Sequence, residues 1–355
     1  MEVKWLSDDF NQELLVLAGD VGGTNTNLAV VGKKDGKYTI IVECVFKSSD
    51  ITDLVGPVQE TLKIAADKSA SLKPTMCCIS AAGPVADNVC TLTNCSWNVE
   101  GDAIEAKTGL KTLVINDFLA IGYGIPTLDV TNSAQITQLK NTDGELPKQS
   151  GTTKAVVGAG TGLGVGFLTE SNGVYTACPS EGGHSGFAPF DDFSVEFTAW
   201  MTKKLGIAPG TEPFVSGQGI ANIFNFLNEA KGLATDALCK EIAALDDTDK
   251  PAKIAMNADK NDVCKTVMTE FVKMYGKFAG SMSLVFMCAG GMYLAGGIVT
   301  KNEKYLVEGD LFMKYFEMNY KPNIAPLLKK TPVYIIKDYS ISLYGAANAG
   351  VTLIK

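Results

Sequence analysis

Apolar runs and the breaks between them divide the chain into short strands and amphipathic helices. Leu14–Ala18 is apolar throughout, leads into Gly19-Asp20-Val21-Gly22-Gly23-Thr24, and is followed by a second apolar run, Leu28–Val31. Two such runs joined by a glycine turn predict a strand and its return strand. Residues 32–36 read as the next turn and Tyr38–Phe46 as a third strand, so an antiparallel meander is expected. Asp53–Ser69 reads as an amphipathic helix, with Leu54, Val58, Leu62 and Ala65 at helical spacing and Pro57 tolerated near its start. Met76–Ala81 is a buried strand ending at Gly83-Pro84, Glu100–Thr108 a short helix closed by Gly109, and Thr112–Ile115 another strand.

The same cycle recurs in the middle of the chain. Ala155–Gly158 enters the cluster Gly158-Ala159-Gly160-Thr161-Gly162-Leu163-Gly164, Val165–Leu168 returns, and Gly173–Tyr175 adds a third strand. No short-period repeat exists, which excludes a solenoid; the two-fold recurrence predicts duplicated halves facing one cleft. Phe193–Leu205, Gly217–Glu229 and Val263–Met287 read as helices, Met292–Ala295 and Pro332–Ile336 as strands, and Leu343–Leu353 as a final helix. Lys231–Asp262 is polar and charged and is expected to be peripheral. The most apolar stretch, Ser281–Val299, is broken by Gly290-Gly291 and Gly296-Gly297, so a helix, a turn and a strand explain it better than a membrane span.

Composition narrows the classes. With 355 residues, 46% of them hydrophobic and 20% charged, the chain has two to three domains' worth of ordinary globular sequence. A net charge of −8 with no basic run lacks the footprint of a nucleic-acid or anionic-membrane binder. The nine cysteines are odd in number and contain no C-x-x-C, and Met1–Phe10 has no signal-peptide pattern. Free thiols in the cytoplasm are therefore expected, and the sequon Asn94-Cys95-Ser96 is irrelevant there. One histidine and clustered glycines are the unusual entries among the 20 residue types.

A glycine turn between a strand and its partner can offer consecutive backbone amides to an anion, because no Cβ blocks the approach. Asp20–Asn25 and Gly158–Gly164 are thus candidate phosphate cradles. The string G-x-x-x-x-G-K-[ST] is absent, and G-x-G-x-x-G fails in each register, its sixth position being Leu163, Val165 or Phe167. No helix is expected directly after either cluster, as a P-loop or a Rossmann turn would require.

Asp20-Val-Gly-Gly-Thr-Asn25 and Gly158-Ala-Gly-Thr-Gly162 resemble the two phosphate motifs of the actin, heat-shock-chaperone and sugar-kinase superfamily, and Ala295-Gly-Gly-Ile298 resembles its adenosine motif. Ile115-Asn116-Asp117-Phe118, Glu181-Gly-Gly-His184, Glu212 and Val215-Ser-Gly-Gln-Gly-Ile220 are similar, more narrowly, to motifs of the bacterial-type glucokinases, in the same order along the chain. The resemblance implies an α/β, two-domain ribonuclease-H-like (actin-like ATPase) fold, with mixed sheets flanked by helices and an interdomain active-site cleft. It implies a small domain of residues 1–118 plus 340–355 and a large domain of residues 119–339. The chain lacks the cysteine-rich zinc motif of the related repressor and open-reading-frame kinases, which argues against that branch.

The implied activity is ATP-dependent phosphorylation of the 6-hydroxyl of glucose. Asp117 would be the base, and Asn116, Asp117, Glu181, His184 and Glu212 would hold sugar hydroxyls. Gly19, Asp20, Val21, Gly22, Gly23, Thr24, Gly160, Thr161, Gly162, Gly296 and Gly297 would hold ATP, with Asp20 on Mg²⁺ through water. From the residues alone, Asp117 could equally cap a helix, and Glu212 could be a helix-start charge. The sequence holds no arginine, so no arginine finger acts in cis. A kinase for another hexose or hexosamine, an actin-like or chaperone-like ATPase switch, and a non-catalytic sugar sensor are the rival readings. A homodimer is what the resemblance suggests.

Overall fold

The computed structural model describes residues 1–92 and 95–354, so Asn94 of the sequon lies outside the described residues. In chain order the strands are β1 (Glu2–Trp5), β2 (Leu14–Val21), β3 (Asn25–Lys34), β4 (Lys37–Lys47), β5 (Met76–Ala81), β6 (Val85–Ala86), β7 (Val89–Thr91), β8 (Asn98–Glu100), β9 (Lys111–Asn116), β10 (Ile136–Gln138), β11 (Lys154–Ala159), β12 (Leu163–Ser171), β13 (Val174–Ser180), β14 (Met292–Ala295) and β15 (Val333–Ile336). The helices are α1 (Val55–Lys68), α2 (Gly101–Thr108), α3 (Asp117–Gly124), α4 (Asp192–Leu205), α5 (Gly217–Glu229), α6 (Ala237–Ala243), α7 (Lys250–Asn257), α8 (Asp262–Phe286), α9 (Gly297–Lys301), α10 (Glu303–Val307), α11 (Leu311–Phe316), α12 (Ala325–Lys329) and α13 (Ile341–Leu353). Backbone contacts divide the chain into two compact units: Met1–Asp129 with Glu170–Cys178 and Asp338–Lys355, and Val130–Thr169 with Pro179–Lys337.

The first unit is built on a sheet of order β1-β4-β3-β2-β5-β9. The expected meander is present, with β2, β3 and β4 antiparallel, and β5 and β9 extend the sheet in parallel with β2. Strand β2 runs three residues beyond the apolar segment, because Gly19, Asp20 and Val21 pair with Leu28, Asn27 and Thr26 on one side and Ile79, Ser80 and Ala81 on the other. The turn proper is therefore Gly22–Thr24. Edge strand β1, the small β6-β7-β8 sheet and helix α3 are additions that periodicity did not signal. Helix α2 ends as expected, with Gly109 in the left-handed region at φ 73°.

The second sheet has the order β10-β15-β14-β11-β12-β13. Setting aside the outer strands β1 and β10, both sheets share one arrangement: an antiparallel meander whose first strand continues into two parallel neighbours. The halves are duplicated in topology, as the recurrence of the glycine clusters predicted. Helix α8 lines the second core through Val267, Phe271, Met274, Tyr275 and Phe278, and the Tyr275 hydroxyl donates to the Val157 carbonyl at 2.9 Å. The apolar stretch at 281–299 resolves into the end of α8, a turn with Met287 at φ 48°, strand β14 and the start of α9. Among the described residues no helix is long and apolar enough to cross a membrane.

Segment 231–262 is not peripheral, contrary to expectation. It forms α6 and α7, and Cys239, Ile242, Ile254 and Ala258 are buried in the main core of the second unit. Its average composition is polar, but residues three and four apart form a narrow apolar stripe on two short helices, which is enough to anchor them.

Helix α13 belongs to the first unit and crosses α3 through glycine. A Cβ on Gly345 would lie 1.8 Å from the Ala120 carbonyl oxygen, so only glycine permits this approach. Gly345→Val is expected to force the two helices apart, costing about 1–3 kcal/mol or more and lowering Tm by roughly 3–10 °C in a thermal melt.

Candidate active site

In the first unit three chain segments leave the sheet side by side at the C-terminal ends of parallel strands. The Gly22–Thr24 turn follows β2, Gly83 follows β5, and Asn116-Asp117 closes β9. In open α/β sheets this end is where loops are free to meet a ligand. Register pairs Asp20 with Ser80 across β2 and β5. The Asp20 carboxylate accepts the Ser342 hydroxyl of α13 at 2.8 Å and the Ser80 hydroxyl at 3.4 Å. Burial raises its pKa above the ordinary 3.8, the Ser342 bond opposes this, and the negative charge of Asp117 raises it further. Asp20 and Asp117 thus feel one another electrostatically.

The Gly22–Thr24 turn is fixed from behind by Ser48, a residue that sequence reasoning missed. The Ser48 hydroxyl donates to the Gly22 carbonyl at 2.6 Å and contacts the Thr26 hydroxyl at 3.0 Å, while its amide donates to the Thr24 carbonyl at 3.0 Å. The Trp97 indole donates to the Ser48 carbonyl at 3.3 Å. Gly23 and Thr24 at the tip are exposed, whereas the Val21 side chain is buried and only its backbone faces the turn. Gly19 lies inside β2, where a Cβ would meet Ile79 Cδ1 at 2.6 Å.

Asn116, rather than Asp117, is the cap of α3: its Oδ1 accepts the Phe118 amide at 2.9 Å and the Leu119 amide at 3.4 Å, and its Nδ2 donates to the Gly83 carbonyl at 3.1 Å. Asp117 is the first helical residue, with Oδ1 accepting the Phe118 amide at 2.9 Å. Burial raises its pKa above 3.8, and the Phe118 and Asn116 bonds oppose that rise. The half-buried carboxylate is oriented by the first turn of its own helix.

The second unit repeats the geometry. Residues 160–162 follow β11 and Gly296-Gly297 follow the adjacent parallel strand β14, with Gly158 and Ala295 in register. Gly296 needs φ 98°, and a Cβ there would sit 2.4 Å from the Ala159 carbonyl oxygen. Thr161 is exposed at the tip, and Gly160 and Gly297 have open space where a Cβ would be. Strands, not helices, follow both phosphate turns. Gly182–His184 forms a 3₁₀ turn that leaves the Glu181 and His184 side chains 92% and 63% exposed, 3.7 Å apart. The Glu212 carboxylate accepts the Leu163 amide at 2.8 Å, so it lies against the end of the 160–162 turn instead of merely starting a helix. Ser48, Ser80 and Ser342 come to the first unit's site from a 3₁₀ turn, a strand and a helix, and no local spacing could have grouped them.

A sequence profile of the glucokinase family matches residues 17–352. The glucokinase of Nostoc punctiforme is 34% identical over 348 residues, covering 94% of this chain and 98% of that protein. Among solved structures, the glucokinase of an Antarctic psychrotroph superposes with a TM-score of 0.82 at 26% identity, over 96% of this chain and 99% of that one. A ROK family glucokinase from Streptomyces griseus in complex with glucose and AMPPNP superposes with a TM-score of 0.58 at 19% identity, over 95% of this chain and 99% of that one, a likeness of fold alone. With its duplicated mixed sheets, this chain has the actin-like ATPase fold of the sugar kinases and belongs to the glucokinase family.

Proposed function

We propose that the protein transfers the γ-phosphoryl group of ATP to the 6-hydroxyl of glucose, with Asp117 as general base. The observation that carries this reading is the pair of carboxylates at one sheet edge: Asp117 oriented on α3, and Asp20 beside the Gly22–Thr24 turn. Phosphoryl transfer asks chiefly for positioning and charge compensation, so a carboxylate aimed at the attacking hydroxyl and amides around the phosphates supply most of the need. Asn116, Asp117, Glu181, His184 and Glu212 hold sugar hydroxyls in this reading. The exposed side chains of Glu181 and His184 offer an acceptor and a ring able to donate or accept. Gly19 to Thr24, Gly160 to Gly162 and Gly296-Gly297 line the nucleotide.

The donor set fits Mg²⁺. Asp20 is one desolvated carboxylate braced by two serine hydroxyls, and among the described residues no cluster of three or more His, Cys, Asp or Glu could cage an ion. Mg²⁺ is usually held by one or two carboxylates, water and substrate phosphates. When bound it would offset phosphate charge that no arginine is present to meet. We extend the reading to a cytoplasmic homodimer acting in glycolysis, supported by the resemblance and by thiols of which seven out of nine are buried.

A coupled ADP-release assay across a panel of hexoses is expected to show ATP turnover stimulated by glucose above the others; turnover that no sugar stimulates sinks the kinase reading. Asp117→Asn is expected to lower kcat by about 10²- to 10⁴-fold while glucose affinity, measured by calorimetry, changes less than about tenfold. Weakened binding with full turnover per bound sugar would remove Asp117 from the role of base.

The pH dependence follows from the raised Asp117 pKa. The base works ionised, so kcat/KM is expected to fall with pH as it passes through a value above 3.8. The folded state also binds this proton more tightly than the unfolded chain. The resulting stability is fully present below 3.8 and is lost as pH rises through the folded value. Asp117→Asn should therefore melt higher than the parent at neutral pH, with the gap closing toward pH 4 in a melting series.

A further inference from the structure

Glu212 joins two parts of the second unit that the proposed reaction uses for different ligands. Its Oε2 accepts the amide of Leu163, the first residue beyond the phosphate turn, at 2.8 Å. Gly162 makes room for this contact: a Cβ there would lie 2.6 Å from the same oxygen, so a larger residue would have to push the Glu212 carboxylate aside. On the sugar side, the Glu212 amide donates to the Gly183 carbonyl at 2.9 Å, and a Cβ on Gly183 would come within 1.9 Å of the Leu163 carbonyl oxygen. The turn bearing Glu181 and His184 is thus pressed onto the strand that leaves the phosphate turn. The other flank of that turn is tied to α5, whose first residue, Gly217, donates its amide to the Gly160 carbonyl at 2.8 Å. Ser216 caps that helix and also donates its hydroxyl to the Glu212 carbonyl at 2.7 Å. Among the described residues no donor is bonded to Glu212 Oε1.

We propose that the Glu212 carboxylate is a two-sided strut, with Oε2 holding the second phosphate turn and Oε1 accepting a sugar hydroxyl, so that hexose and nucleotide strengthen each other's binding. The inference rests on the reading of Glu212 as a sugar contact and makes it, in addition, a positioning residue for the nucleotide. Its sign follows from charge. A carboxylate beside a turn that must receive phosphate repels the incoming anion, and a hydroxyl donated to its free oxygen draws off part of that charge while restraining the side chain. Both effects favour nucleotide binding after sugar, and linkage makes the benefit reciprocal.

Calorimetry on the full chain separates the possibilities, with glucose and Mg·AMPPNP titrated singly and together. The parent protein is expected to bind Mg·AMPPNP about tenfold more tightly when saturated with glucose, within the usual span of such couplings. Gly162→Ala, which lies on the phosphate turn and displaces Oε2, is expected to weaken glucose binding several-fold with no nucleotide present. Glu212→Ala, which loses the strut as well as the charge, is expected to weaken glucose binding and to bind Mg·AMPPNP alone less tightly than Glu212→Gln does. Glu212→Gln, whose amide oxygen can still accept from Leu163 but which carries no charge to repel phosphate, should bind Mg·AMPPNP alone more tightly than the parent and lose most of the enhancement by glucose. Should Glu212→Ala weaken glucose yet bind Mg·AMPPNP alone as tightly as Glu212→Gln, the strut is overturned while the sugar contact stands. Unchanged glucose affinity in that variant overturns both. Melting curves of each variant guard against loss of fold, and Gly162→Ala and Glu212→Gln decide the matter if Glu212→Ala does not fold.

Discussion

The parallel register of β2, β5 and β9 is the constraint on which the first unit's chemistry depends. It sets Asp20 opposite Ser80 and Ala81 opposite Asn116, and so brings a glycine turn, a carbonyl that anchors an asparagine, and a helix start to one edge. A slip of one residue would reverse every side chain on a strand and send the Asp20 carboxylate to the opposite face. The register is held by burial, since Val16, Leu17, Ala18, Cys77, Cys78 and Ile79 are all fully buried. The apolar interior of the sheet thereby fixes the position of its polar end.

Helix α13 adds the second layer of control. It packs on α3 at Gly345, and one turn earlier it delivers the Ser342 hydroxyl to Asp20. Helix α3, which bears Asp117, and the Asp20 carboxylate therefore share a single support from the far end of the chain. Asn348, on the same helix, is tied to both α3 and β4, donating to the Tyr123 carbonyl at 2.8 Å and accepting the Tyr38 hydroxyl at 2.8 Å. A packing change in α13 has a direct route to the chemistry.

The sequence pattern carried the strands well, because long apolar runs bounded by glycine have few alternatives: β5, α5 and β14 lie where the pattern put them. It understated β2, whose last residues are polar or glycine and are strands only because both neighbours pair with them. It missed α3, where a short helix begins at an asparagine cap that reads equally well as loop. It misjudged residues 231–262 because a stripe of four buried side chains disappears in a charged average. At the site, the glycine clusters were legible since their absence of side chains is itself the signal. Ser48, Ser80 and Ser342 were not, because a hydroxyl acquires meaning only from the partner that long-range folding brings to it.

Electrostatics explains why so much of the site is backbone. The chain is acidic overall, contains no arginine, and places Asp20 where burial and the negative charge of Asp117 disfavour its ionised form. Adding ATP to such a place is unfavourable unless donors that carry no counter-charge of their own are already aimed at the phosphates. Glycine turns satisfy that condition: their amides need no rotamer to be frozen and no salt bridge to be broken when the ligand arrives. The serines that brace them act by the same logic, spending neutral hydroxyls on carbonyls and carboxylates so that the turns are already in place before the nucleotide binds. In the proposed reading, the clustered glycines and the missing arginines are two sides of one solution to holding a polyanion in an acidic protein.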